Sequence, residues 1–212
     1  FDMTEDSLVL LDLLSASSSN PNSLNSIIAG GVASIDLIGE GVGNIADPAR
    51  FMQAVNDGKA VLAENAVTGQ GLPTYGTQVL MNVINGMGAL PTRNMREVQF
   101  EGAEKVSGET IKDTILKKTK GCYACIVKCG RVTEVEGKVG EGPEYETLWA
   151  YSADCGVDDL DAVIRANNVC NEYGLDTIST GCTVAFAIEC YENGILTKDD
   201  TDGLELTWGN HA

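Results

Sequence analysis

Histidine is almost absent from this chain, occurring once, at His211. A metal site built on several imidazoles, or a catalytic triad turning on one, finds almost no material here. Basic residues are also scarce, 14 against 31 acidic ones, for a net charge of −17. A nucleic-acid binder needs a basic footprint to displace phosphate counterions, so that class is excluded, while self-repulsion suits a protein that stays in solution. No apolar run approaches the roughly 18 residues of a membrane-spanning helix. The longest apolar-rich stretch, Thr183–Ile188, is stopped by Glu189. The opening, Phe1 to Asp6, is acidic and has the character of neither a signal peptide nor an Arg-rich transit peptide. A cytoplasmic protein without a membrane partner is therefore expected.

What is present suffices for a folded domain. Hydrophobic residues make up 43% and charged residues 21%, enough apolar surface to form a core. Seven cysteines are an odd number for a disulfide framework, so reduced thiols or metal ligands are the better expectation. The absence of an initial Met, and of a closing element after Leu204–Ala212, suggests a fragment truncated at its C-terminus.

Residues 1–46 differ from the remainder and stay unassigned, a possible remnant of a preceding domain. Ser15 to Ser26 has linker composition, and Val32–Ile38 reads as a strand. The glycines after it, Gly39, Gly41 and Gly43, miss a dinucleotide fingerprint, because Asn44 stands where the motif needs its last glycine. From Asp47 the pattern turns helical, which predicts a mainly α, multihelical domain with little strand over 47–212. Asp47-Pro48 opens a helix with Phe51, Met52, Val55 and Leu62 on a loose apolar face. Thr68–Tyr75 reads as loop, Thr77–Ile84 as a second helix, and Ala89–Gly102 as irregular. Ser107 caps a third helix, with Ile111, Ile115 and Leu116 on one face and Lys117, Lys118 and Lys120 in its last turn. Arg131–Lys138 alternates as a small hairpin around Val132, Val135 and Gly137. Helices follow over Tyr145–Ala153, Asp158–Tyr173 and Thr180–Asn193, with Gly194 at the C′ position of the last.

The strongest local motif is Cys122-x2-Cys125-x3-Cys129, flanked by Gly121 and Gly130. Two thiolates separated by two residues turn onto one centre, and a third, four residues on, reaches it if the segment coils. Closely spaced thiolates hold iron–sulfur clusters, and being soft ligands they also suit zinc. Zinc more often takes paired C-x2-C units or added histidines, which are missing. Iron–sulfur leads, with zinc and three buried core cysteines as alternatives. Cys155 is a conceivable fourth ligand; Cys170, Cys182 and Cys190 read as core, or Cys182 as a surface thiol. Lys105, Lys112, Lys117, Lys118, Lys120, Lys128 and Arg131 cluster around the motif. They either favour a reduced, more negative cluster and a docking carrier, or simply solvate a helix end.

Residues 47–209 resemble the middle of the aldehyde:ferredoxin oxidoreductase family, tungsten enzymes with a bis-pterin cofactor. The resemblance rests on Thr68–Gly76, Gly88–Asn94, Phe100–Lys105, the cysteine motif, Gly142–Thr147, Asp154–Asp159 and Tyr173–Gly181, taken in order and spacing. It implies a β-rich N-terminal domain and two helical domains in the parent, with this chain covering the first helical one. It makes Cys122, Cys125 and Cys129 three of four [4Fe–4S] ligands, with the fourth downstream of Ala212. It matches Glu146 to a glutamate near the metal, suited to proton handling; the residue would otherwise be a helix N-terminal glutamate. Asn171-Glu-Tyr-Gly174-Leu175-Asp176 matches the D-x-x-G-L-D pterin loop, with Asn171 replacing the first aspartate and so losing a charge while keeping a hydrogen-bonding oxygen. An ordinary helix C-cap would explain Gly174 as well. The E-x-x-H that bridges metals in some members is not found.

The function implied is oxidation of an aldehyde to a carboxylic acid. Electrons would pass from a pterin-bound tungsten or molybdenum, shared with the remaining domains of the parent chain, through the [4Fe–4S] cluster to ferredoxin. The alternatives are a relative acting on another acid or thioester substrate, and a small helical electron-transfer or metal-stapled binding module.

Overall fold

The structure is a computed structural model, and it describes residues 47–211. The strand expected over Val32–Ile38 and the glycines after it lie outside the described residues. The chain forms two compact units. One comprises residues up to Val61 together with Cys122–Ile126; the other comprises Leu62–Gly121 and Val127–Ala212.

Helix α1, Pro48–Glu64, begins where expected. The Arg50 N–H donates to Asp47 Oδ1 at 3.0 Å, and Pro48 takes the first helical position, where a missing N–H costs nothing. Its proposed apolar face is not covered: Phe51, Met52 and Leu62 are exposed and Val55 is half-buried.

Thr68–Tyr75 is not the loop its glycines suggest. A π-helical turn over Val67–Gly71 runs into α2, Leu72–Tyr75. Asn65 Oδ1 accepts from the N–H groups of Val67 and Thr68, at 2.9 and 3.2 Å, and the Thr68 hydroxyl donates to the Leu62 carbonyl at 2.6 Å. These side chains satisfy backbone groups that a break would strand. A 3₁₀ turn, Thr77–Val79, leads into α3, Leu80–Gly86. The irregular stretch to Gly102 follows as expected, containing a single Thr92–Glu97 bridge.

Helix α4, Gly108–Thr114, is capped by the Ser107 side chain, which accepts from the Thr110 N–H at 3.2 Å. It ends earlier than expected, and the lysines belong to a strand. Ile115 leaves helical geometry and its carbonyl accepts from the Glu134 N–H at 3.0 Å, which starts β1, Leu116–Lys120. β1 pairs antiparallel with β2, Gly130–Val135, which pairs antiparallel with β3, Lys138–Glu141. The order is β1-β2-β3, so the hairpin expected near 131–138 is present but carries a third strand. Lysines suit an edge strand because they discourage further pairing. Glu136 and Gly137 both have positive φ, as the two-residue turn between β2 and β3 requires. The inward set on β2 is Arg131, Thr133 and Val135.

Three helices complete the larger unit. α5 is Tyr145–Tyr151, α6 is Leu160–Tyr173 and α7 is Thr177–Glu192. Asp159 caps α6 by accepting from the Ala162 N–H at 2.7 Å, and Asp176 caps α7 by accepting from the Ser179 N–H at 2.6 Å. Gly194 has φ of 69°, the left-handed conformation expected just past α7. Met81, Leu90, Phe100, Val106, Ile111, Leu148, Val163 and Ile188 form the core of this unit. Cys155 and Cys170 are buried, whereas Cys182 and Cys190 are half-buried. With seven α-helices and three short strands among the described residues, the fold is mainly α. None of these helices is long and apolar enough to cross a membrane.

Candidate functional site

A polar hollow of about 640 Å³ opens beside β3, the start of α5 and facing stretches of α6 and α7. Along α6, Asn167, Asn168 and Asn171 occupy positions i, i+1 and i+4, so they share one flank of the helix. Asn167 and Asn168 are nearly inaccessible, an unusual burial for amides in a helix interior. The Glu141 carbonyl accepts from Asn167 Nδ2 at 3.0 Å and from Asn171 Nδ2 at 3.1 Å. Those two bonds fasten the end of β3 to α6. On the far side, the Thr147 and Thr177 hydroxyls lie 2.7 Å apart and join α5 to the start of α7.

Glu144 also lines this hollow. It precedes α5 without capping it by its own side chain. Its carboxylate instead accepts from the Thr77 hydroxyl at 2.7 Å, and the same hydroxyl accepts from the Tyr145 N–H at 2.9 Å. The residue keeps much of its surface open, but its carboxylate is crowded enough that burial raises it above its ordinary value; the Thr77 hydrogen bond pulls it back and neighbouring Glu146 pushes it up. Glu146, the residue singled out from sequence, stands exposed in the first turn of α5 and does not line the hollow.

The segment 171–176 is divided in role. Asn171 lines the hollow. Gly174 is the left-handed C-cap of α6, and the Leu175 N–H donates back to the Cys170 carbonyl at 2.9 Å. Leu175 is exposed. The Asp176 carboxylate is held below its ordinary value by the Ser179 N–H it accepts in capping α7.

In the smaller unit, Cys122 and Cys125 form a tight turn in which the Cys125 N–H donates to the Cys122 carbonyl at 3.0 Å. Ala124 has positive φ there. Cys122 is exposed and Cys125 half-buried. In the larger unit, Cys129 is half-buried just before β2. Among the described residues no three His, Cys, Asp or Glu side chains are gathered around a common point. Cys155 is in a different situation: it is buried, directed at the carbonyls of Ala150 and Gly181, and burial pushes its thiol up to about 12. Cys182 is likewise pushed up to about 11, by burial first and then by Asp154. These thiols resist becoming thiolate ligands.

The family profile described as "Aldehyde ferredoxin oxidoreductase, domains 2 & 3" matches residues 53–212. The chain belongs to the aldehyde ferredoxin oxidoreductase family. It is 48% identical over 168 residues to the tungsten-containing aldehyde ferredoxin oxidoreductase of Thermococcus kodakarensis, covering 78% of this chain and 28% of that protein. The enzyme of the same description from Pyrococcus furiosus is 44% identical over 169 residues, with the same two coverages. An aliphatic sulfonate oxidoreductase, WOR-like subunit, also from Pyrococcus furiosus, is 32% identical over 126 residues, covering 57% of this chain and 20% of that one. The chain thus spans 28% of the length of the first two relatives.

The donor chemistry fits the cofactors of such an oxidoreductase. Three thiols close in sequence stand outside the apolar core, the soft donor type a metal cluster takes. The hollow offers amide and hydroxyl groups together with the side chains of Lys138, Glu141, Glu144 and Glu172. Sequence reasoning missed Glu144, Asn167, Asn168, Thr147 and Thr177. Consecutive asparagines among the core-facing positions of an amphipathic helix were the available signal.

Proposed function

We propose that this chain is the part of a tungsten- or molybdenum-pterin aldehyde oxidoreductase that carries [4Fe–4S] ligands and one wall of the pterin pocket. The observation carrying this reading is that the family match over residues 53–212 encloses the three-cysteine motif. The bound metal–pterin and cluster would supply the redox chemistry, oxidising an aldehyde to its acid and releasing single electrons to ferredoxin.

The chain's own residues would then bind and orient. Cys122, Cys125 and Cys129 hold the cluster, with the fourth ligand from elsewhere in the full protein. Asn171, Gly174, Leu175 and Asp176 line the pterin, Asn171 through its amide and Gly174 by leaving room for close approach. Glu146 takes up the proton released as the aldehyde is oxidised. Glu144, whose carboxyl is raised by burial and further by Glu146, stands two residues away on the approach to α5. Lys118 and Lys128, which form no ion pair among the described residues, present positive charge to an acidic ferredoxin.

The test is metal analysis of the full-length protein. Cys125→Ala should lose iron, acid-labile sulfide and the reduced-cluster EPR signal together; unchanged iron would overturn the ligand assignment. The kinship to a sulfonate oxidoreductase favours one second reading, in which the substrate is not an aldehyde. Turnover of a sulfonate, with none of any aldehyde offered, would decide for it.

A further inference from the structure

Arg131 is the largest fully buried side chain of the described residues, with 1% of its surface exposed. Its guanidinium donates hydrogen bonds to backbone carbonyls. Nη2 donates to Leu72 and Pro73, and Nη1 donates to Gly130 at 3.2 Å. Nε has no hydrogen-bond partner. Arg93, Arg96 and Arg165 all reach carboxylates at the surface, whereas Arg131 forms no ion pair among the described residues.

A guanidinium keeps its proton at every accessible pH, so this is a fixed positive charge inside the protein. Burying such a charge without an anion is costly, and carbonyl dipoles offset only part of that cost. Some negative charge should lie close by. Burial disfavours the charged guanidinium, and Cys129 and then Glu144 act in its favour. Cys129 lies two residues away on the same approach to β2.

The backbone is shaped to keep this pairing close. A Cβ on Gly76 would fall against Gln78 Oε1, and would stand 2.8 Å from both Arg131 Nε and the Cys129 carbonyl oxygen. Gly76 also has φ of 72°. The guanidinium and the Cys129 main chain thus converge on one glycine that leaves room for both. Gln78, fully buried, closes the other side and donates to the Pro143 carbonyl.

We infer that Arg131 is a positioning residue for the cluster: a buried cation set against Cys129 that stabilises the more negative, reduced form and so raises the reduction potential. The inference rests on the proposed cluster assignment to Cys122, Cys125 and Cys129. Adding one electron makes the cluster and its thiolates more negative by one charge. A cation fixed in a low-dielectric surround favours that state more than any solvated surface lysine does. The competing role is purely mechanical, a fork that ties α2 to β2 through the Leu72 and Pro73 carbonyls.

The experiment is an EPR-monitored redox titration, with dithionite and mediators, of the full-length protein and two variants. The unmodified protein is measured first: absence of iron and of a reduced-cluster signal there removes the cluster assignment itself, and the Arg131 inference with it. With a signal present, Arg131→Met should lower the midpoint potential by at least the ~59 mV that corresponds to a tenfold change in a one-electron equilibrium. Arg131→Lys, which keeps the charge and loses the fork, should stay near the parent value. Loss of the cluster from Arg131→Met but not from Arg131→Lys also supports the charge role. An unchanged potential in Arg131→Met, or loss of the cluster from both variants, overturns it in favour of the mechanical fork.

Discussion

The Thr77 hydroxyl donates to the Glu144 carboxylate at 2.7 Å while accepting from the Tyr145 N–H, so one side chain secures both the acid and the start of α5. Thr77→Val removes both bonds and leaves the shape. The cost should be about 1 kcal/mol of stability, read as a lower unfolding midpoint. The pH dependence has a definite sign. Burial raises the Glu144 carboxyl, so the folded chain holds this proton to higher pH than the unfolded chain does. The group's contribution is greatest below its unfolded value and is lost as pH rises through the folded one. Removing the Thr77 hydroxyl, which favours the ionised form, should widen that window. Denaturation midpoints measured from weakly acidic to neutral pH should fall more steeply in Thr77→Val, and parallel curves would count against it.

Two glycine substitutions should move stability in opposite directions. Gly181 lies where α7 crosses α5, and an added Cβ would stand 2.7 Å from the Ala150 Cβ and 2.9 Å from its carbonyl carbon. Backbone cannot yield there, so Gly181→Ala should cost roughly 1–3 kcal/mol despite the better helix propensity of alanine. Gly58 sits within α1 with nothing inside 4 Å of such a Cβ. Gly58→Ala should stabilise by about 0.5–1 kcal/mol. Thermal unfolding of the two variants checks the sign of each.

Local signals were legible in the sequence, and long-range ones were not. Asp47, Ser107 and Gly194 end or begin helices through chemistry confined to a few residues, and all three do so here. The lysines of Leu116–Lys120 suit a helix end and an edge strand equally well. The decision comes from pairing with Gly130–Thr133, which no local pattern announces. The same holds for Glu144: its role depends on Thr77, 67 positions away. The sequence groups Arg131 with six neighbouring lysines, and only its place on the inward face of β2, set by strand pairing, separates it from them by burial.

Glu146 and Asp176 separate catalysis from cofactor retention. Glu146 lies exposed on the first turn of α5, so Glu146→Gln should leave stability and cofactor content near normal and reduce kcat at least tenfold. Full turnover in that variant would remove it from the proposed proton path. Asp176 already caps α7. Asp176→Ala should therefore lower both the unfolding midpoint and the pterin content, whereas Asp176→Asn, which keeps a capping oxygen, should recover the midpoint. Pterin content then shows whether the charge itself holds the cofactor.

The last prediction concerns the electron acceptor. A chain of net charge −17 repels an acidic carrier unless positive charge is concentrated where it docks. Much of the basic cluster around the cysteine motif is already spent. Lys105 pairs with Asp158, Lys117 with Glu134 and Lys120 with Glu141. Lys112 sits over the Tyr75 ring, 5.1 Å from its centre, and Arg131 is buried. Lys118 and Lys128 are exposed and remain to project a field. Such rim charges act mainly on encounter rate and fade over a Debye length of about 8 Å at physiological salt. Charge reversal at Lys118 and Lys128 together should slow reduction of ferredoxin several-fold and flatten its salt dependence, with a small neutral dye reduced at the normal rate. Equal losses with dye and ferredoxin would instead place the effect on the cluster or on the fold.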